Sequence, residues 1–130
     1  MYRTGNEALV KYLVEHGADI NKDIKIYYTP LTIACLKGHE SIVKYLVEHG
    51  ADIHQEGKNG ETPLYSACYD GNEAIVQYLV EQGADVNKEN KIGGTLLGKV
   101  CFYGDEAILK YLVDQGADIN KKKLTLITLR

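Results

Sequence analysis

The stretch Asn6-Glu-Ala-Leu-Val-Lys-Tyr-Leu-Val-Glu-His-Gly-Ala-Asp-Ile-Asn21 decides the fold, because the chain carries it four times. With small changes, it begins again at His39, Asn72 and Asp105. Its closing Gly-Ala-Asp recurs at a constant step of 33 residues, at Gly17, Gly50, Gly83 and Gly116. A fixed step of this size predicts a stack of structural repeats.

Each copy of the stretch has the apolar spacing of an amphipathic helix. In the second copy the stripe consists of Ile42, Val43, Leu46 and Val47. Glu–Lys pairs at i,i+4 spacing favour helix in three copies, at Glu7–Lys11, Glu40–Lys44 and Glu106–Lys110. The Gly after each helix predicts a left-handed C-cap. Since one helix this short is marginal alone, neighbouring copies must cover the stripe.

A second, shorter helix is predicted before each later copy. Thr29-Pro30 supplies an N-cap and a first helical residue, and Gly38 supplies a stop. We therefore expect a short helix from about Pro30 to Lys37. The pattern returns over 62–71 and, without its Pro, over 95–104. Each full unit then reads as connector, short helix, turn, long helix and loop.

These motifs resemble the ankyrin repeat. Thr-Pro-Leu-x-x-Ala, Gly-x-x-x-Ile-Val-x-x-Leu and Gly-Ala-Asp-x-Asn follow one another at period 33 over about residues 5–123. The resemblance implies an all-α solenoid of antiparallel helix pairs with loops that project sideways. The single domain, 1–130, would comprise a partial repeat 1–24, full repeats 25–57, 58–90 and 91–123, and a truncated start of another at 124–130.

The chain also departs from the family pattern at the His and hairpin-Gly positions. The usual His after Thr-Pro-Leu is replaced by Thr32, Tyr65 and Gly98, so its side-chain network between repeats is expected to be missing. The usual hairpin Gly is kept at Gly60 and Gly93. It is Tyr27 in the first full repeat, which predicts a different loop there because Tyr disfavours positive φ.

Composition and charge limit the functional classes. With 45% hydrophobic and 25% charged residues, the chain is expected to fold. A net charge of −3, with both signs interspersed, argues against sequence-independent nucleic-acid binding. We expect no membrane association and a cytoplasmic or nuclear location, because no apolar run approaches about 18 residues and the start resembles no signal peptide.

No residue pattern predicts a metal, a cofactor or catalysis. Cys35, Cys68 and Cys101 share one repeat position. Stacked helices lie roughly 8–10 Å apart, beyond the roughly 7 Å Cα separation of a disulfide, so buried thiols are expected. The four histidines are expected at the surface or in caps. Gly93 to Lys99 imitates a phosphate-binding loop, but Val100 replaces the required Ser or Thr.

A tyrosine column is predicted along the long helices, with its hydroxyls outward; it comprises Tyr12, Tyr45, Tyr78 and Tyr111. Binding is predicted instead where the copies disagree, at the loop tips and the ends of the short helices. The resemblance implies that these positions face a concave groove. The candidate partner-binding residues are Ile26, Tyr28, Leu36, Tyr65, Tyr69, Asp70, Ile92, Phe102 and Tyr103.

Exposed aromatic side chains gathered on one face are enriched in interface hot spots. The alternative is that these side chains only cover neighbouring loops. The sequence therefore predicts a non-catalytic module that binds another protein through this face. Two further hypotheses remain, a fragment or regulatory module of a larger protein and a scaffold that self-associates through uncapped ends.

Overall fold

The computed structural model describes residues 2–22 and 28–119, which form seven α-helices. The helices are α1 Tyr2–Glu15, α2 Pro30–Lys37, α3 Glu40–Glu48, α4 Pro63–Asp70, α5 Glu73–Glu81, α6 Leu96–Tyr103 and α7 Glu106–Asp114. None of these helices is long and apolar enough to cross a membrane. The repeat boundaries at 24/25 and 123/124, and the repeat start at 124–130, fall on residues outside the described ranges.

The helices form two layers. Each short helix packs on the long helix that follows it, as α2 does on α3, α4 on α5 and α6 on α7. Short helices stack in the order α2, α4, α6, and long helices in the order α1, α3, α5, α7. The predicted all-α solenoid is confirmed.

Local sequence signals start and stop α2 where they were expected to, whereas α1 begins at Tyr2, four residues before the repeated stretch. The Thr29 hydroxyl accepts the backbone N–H of Thr32 at 3.3 Å, and the Thr32 hydroxyl accepts that of Thr29 at 2.8 Å. This reciprocal cap stabilises the first turn of α2. Gly38 ends α2 with φ of 73°. Gly83, after α5, has φ of 101°, in agreement with the predicted left-handed termination.

The core lies between the two layers and repeats with the sequence. Leu31, Leu64 and Leu97 from the short helices are buried, as are Leu46, Leu79 and Leu112 from the long helices. Because each column is continuous from repeat to repeat, every internal repeat buries its apolar side chains against both neighbours. This nearest-neighbour packing supplies the main stabilising term of a solenoid.

Loop asparagines join adjacent repeats. The Asn21 side chain donates to the carbonyl of Gly50 at 3.3 Å and accepts the backbone N–H of Asp52 at 2.8 Å. Asn87 repeats this arrangement toward Gly116 and Asp118. The Asn of the Gly-Ala-Asp-x-Asn motif thus satisfies backbone groups of the following repeat.

Three sequence predictions about side chains need correction. Cys35 and Cys68 are buried, but Cys101 is partly exposed, because no further helix packs on α6 within the described residues. The Tyr45 hydroxyl is buried rather than outward. Lys44 forms no ion pair with Glu40 among the described residues; its Nζ lies 5.8 Å from the centroid of the Tyr78 ring.

Candidate functional site: an aromatic groove on the short-helix face

A groove of about 390 Å³ crosses the short-helix layer. Its lining comes from α2, α4, α6 and the connectors before α2 and α4: Tyr28, Thr32, Leu36, Gly57, Glu61, Tyr65, Ser66, Tyr69 and Tyr103. We call it the aromatic groove, since four of these residues are tyrosines. It unites five of the predicted binding residues: Tyr28, Leu36, Tyr65, Tyr69 and Tyr103.

Helix geometry explains why these residues meet. Thr32 and Leu36 lie four residues apart on α2, and therefore on one face of that helix. Tyr65 and Tyr69 occupy the same two repeat positions on α4, which packs directly on α2. The step of 33 residues thus places one lining pair beside the next.

Tyr65 lines the groove from a buried position. Its side chain is only 4% exposed. Its hydroxyl donates to the carbonyl of Lys88 at 2.7 Å and contacts that of Gly94 at 3.2 Å. Burial, followed by the charge of Glu61, raises the pKa of Tyr65 well above its usual range. Tyr65 therefore forms the floor of the groove.

The same contacts connect repeats at the position where the family pattern has His. Tyr65 stands where the ankyrin pattern has His, and its hydroxyl joins the loop at Lys88 to the loop at Gly94 across a repeat boundary. In the preceding repeat the equivalent Thr32 bonds only to Thr29 in the described structure, within its own helix turn. A connection between repeats is thus present, made by a different residue type.

Tyr69 and Tyr103 form the exposed wall of the groove. Their ring centroids are 5.4 Å apart and the rings are nearly perpendicular, at 86°. Tyr69 is 66% exposed, so this pair leaves a large aromatic surface open to solvent. The Phe102 ring follows at 6.4 Å from that of Tyr103 and is also exposed. Edge-to-face pairs of this kind hold rings in place without covering them.

Glu61 is the charged residue of the described groove lining; it lies at a loop tip that was predicted to face the groove, although the list of candidate binding residues left it out. Its Oε2 accepts from Lys99 Nζ at 3.2 Å, in a partly exposed ion pair. Burial and then the charge of Glu61 raise the pKa of Tyr103. Glu61 occupies the repeat position of Tyr28 and Gly94. This variation between copies is the signal that could have added Glu61 to the predicted set.

The other predicted residues lie outside the groove. Phe102 extends its exposed aromatic surface, and Ile92 is an exposed loop residue. Asp70 is exposed at the end of α4, and its carboxylate lies beside Gly38. A Cβ atom at position 38 would be only 2.8 Å from Asp70 Oδ2. Ile26, like the predicted loop at Tyr27, falls outside the described residues.

The described residues offer no metal-binding cluster of three His, Cys, Asp or Glu side chains. Burial raises the pKa of Cys35 and Cys68 to about 12 in each case. These thiols are therefore protonated at neutral pH and poor nucleophiles. His16 and His49 donate from Nδ1 to the carbonyls of Tyr12 and Tyr45, both at 2.8 Å, as helix-end caps.

The stacked helix pairs, the 33-residue period and a groove made by successive short helices define a helical solenoid repeat protein. A family model described as "Ankyrin repeats (3 copies)" matches residues 2–56 and 51–123. The chain therefore belongs to the ankyrin-repeat family. A search of curated proteins returns no match to the chain.

Proposed function

We propose that this chain is a non-catalytic module that binds another protein through the aromatic groove and the adjoining ring of Phe102. Ankyrin repeats are generally protein-interaction modules. The observation that carries the proposal is the exposed Tyr69–Tyr103 pair, which lines a groove built by three successive short helices. Tyrosine is enriched among the residues that dominate binding energy at protein interfaces.

The burial pattern supports this face against the alternative that its side chains only cover loops. Tyr65 does hold loops together, through hydrogen bonds to Lys88 and Gly94. Tyr69 and Phe102 remain mostly exposed although they are large and apolar. Because removing exposed aromatic surface from water is favourable, these side chains would stabilise a complex in which a partner protein covers them.

The proposal can be tested with a binder selected from a displayed library of peptides or small domains. Its affinity would be measured for the native chain, Tyr69→Ala, Phe102→Ala and the matched control Tyr12→Ala. Tyr12 is a comparably exposed tyrosine on α1, in the long-helix layer. We expect Tyr69→Ala to weaken binding by about 10-fold or more and Tyr12→Ala to leave it unchanged.

Circular dichroism would establish that the variants keep the native helicity. Unchanged affinity in both groove variants would reject the groove as the binding face. A loss caused by Tyr12→Ala alone would place binding on the long-helix layer instead.

A second candidate function, self-association, is favoured by the exposed apolar side chains of Leu9, Tyr12 and Leu13 on α1. Light scattering across a concentration series measures it directly. A mass that climbs with concentration, and stays constant for Leu13→Ser, would support contact between copies through α1. A constant monomer mass for the native chain would reject it.

A further inference from the structure

The aromatic groove has a definite electrostatic character. Three of its tyrosines, Tyr28, Tyr69 and Tyr103, are exposed. The face of an aromatic ring is the negative end of its quadrupole and attracts cations. Because Tyr69 and Tyr103 lie at 86° to each other, they can present ring faces in two directions to one side chain.

The charge in the described lining is negative. Glu61 brings a carboxylate to the groove, and among the residues that the structure describes its lining includes no Lys, Arg or His. Lys99 holds one carboxylate oxygen of Glu61 from outside the lining, at 3.2 Å. A carboxylate offers about four acceptor sites, so this bond leaves Glu61 able to accept a second donor. An exposed pair of this kind is also weak enough to be exchanged.

We propose that the aromatic groove selects a lysine or arginine side chain of the bound protein, a statement that rests on the proposed function above. The cation lies against the faces of Tyr69 and Tyr103 while its N–H groups donate to the free oxygen of Glu61. Its aliphatic stem packs on Leu36. An acidic side chain is repelled by Glu61, and an uncharged one of the same length gains only the apolar contact.

The test uses the full chain with isotope-labelled tyrosine and capped pentapeptides of sequence Gly-Gly-X-Gly-Gly. The central residue X is Lys, Arg, norleucine or Glu, and ring signals of the groove tyrosines report binding in an NMR titration. We expect the Lys and Arg peptides to bind about 5-fold more tightly than the norleucine peptide, and the Glu peptide to bind most weakly. Added salt should reduce only the advantage of the cationic peptides.

Two variants with opposite expected effects sharpen the test. Glu61→Gln keeps the side-chain shape and should reduce the advantage of Lys over norleucine to less than about 2-fold. Lys99→Gln removes the internal competitor for the carboxylate and should increase that advantage. A groove that used Glu61 only structurally would show neither change.

The outcomes separate this inference from the proposed function. If the norleucine peptide shifts the groove tyrosines as strongly as the Lys peptide, cation selection is overturned while groove binding stands. A preference for the Glu peptide, or no effect of Glu61→Gln, also overturns it. If no peptide shifts these rings, the inference fails, and the affinity of the selected binder for Tyr69→Ala decides the proposed function independently.

Discussion

From Glu7 onward, helix α1 has nearly the same sequence as α5, but the two helices have very different surroundings. Leu13 of α1 is 49% exposed, whereas Leu79, at the same repeat position in α5, is 0% exposed. Helix α5 is packed between α3, α4 and α7, but α1 packs chiefly on α3. Burial in this protein is therefore a property of neighbouring repeats, and the repeated stretch alone does not fix it.

The largest expected effect follows from this pair of leucines. Leu79→Ala should lower the free energy of unfolding by about 2–5 kcal/mol, because it opens a cavity between the helix layers. Leu13→Ala should cost less than about 1 kcal/mol, since half of that side chain already contacts water. Chemical denaturation of both variants checks this. Equal losses would contradict the comparison and mean that α1 is covered in solution.

The helices were the most predictable part of the structure. Thr29-Pro30 and Gly38 fixed the ends of α2 because caps and left-handed terminations act within a few residues. The partial exposure of Cys101 was not predictable from its repeat position, because it depends on whether another helix lies beyond α6. Local signals were thus sufficient for the elements, and burial required the three-dimensional stack.

Tyr65 and Tyr69, one turn apart on α4, extend the comparison of buried and exposed side chains to a single helix. Tyr65→Phe should lower stability by about 1–2 kcal/mol, because it removes the donor that the partly buried carbonyl of Lys88 has at 2.7 Å. Tyr69→Phe is the matched control, since its side chain is exposed, and should change stability by less than about 0.5 kcal/mol. Similar values for both variants would show that the Tyr65 hydrogen bonds contribute little.

The candidate site was only partly predictable, for a related reason. Tyr28, Leu36, Tyr69 and Tyr103 were expected at the binding face because loop tips and short-helix ends vary between repeats. Variation cannot separate an exposed tyrosine from a buried one, so it did not predict the burial of Tyr65. Nor does it reveal that Asp70 lies beside Gly38, outside the groove lining.

The cysteines allow buried and partly exposed copies of one repeat position to be compared through the pH dependence of stability. Burial raises the pKa of Cys68 from an ordinary 9.0 to about 12, so the folded state keeps a proton that the unfolded state releases above pH 9. Stability therefore falls as pH rises from about 9 toward 12. At pH 10 this loss is about 1.4 kcal/mol for one buried thiol.

Denaturation at pH 7.5 and pH 10, with reductant present, checks this for Cys68→Ala and Cys101→Ala. The stability difference between the native chain and Cys68→Ala should shift by about 1.4 kcal/mol in favour of the variant at pH 10. The shift for the partly exposed Cys101 should be smaller, although burial raises its pKa in the same direction. A difference that does not change with pH would contradict the protonated, buried state of Cys68.

The smallest expected effect on stability concerns a lysine position that is occupied by Gln77 in one repeat. Lys11 Nζ lies 5.5 Å from the centroid of the Tyr45 ring, and Lys44 Nζ lies 5.8 Å from that of Tyr78. The next lysine position is Gln77, beside α7 and its Tyr111. Gln77→Lys should therefore add a third cation–ring contact and stabilise the fold by about 0.5 kcal/mol.

The new lysine would also stand four residues after Glu73, and that pair alone contributes roughly 0.2–0.5 kcal/mol. Making Gln77→Lys again in a Tyr111→Leu background separates the two terms, because the Glu73 pair survives there and the ring does not. If Gln77→Lys no longer stabilises the fold when Tyr111 is replaced, the stabilisation comes from the cation–ring contact between repeats. If the stabilisation is equal in both backgrounds, it comes from the Glu73 pair within α5. The lysine–tyrosine contacts between repeats then contribute nothing measurable to stability.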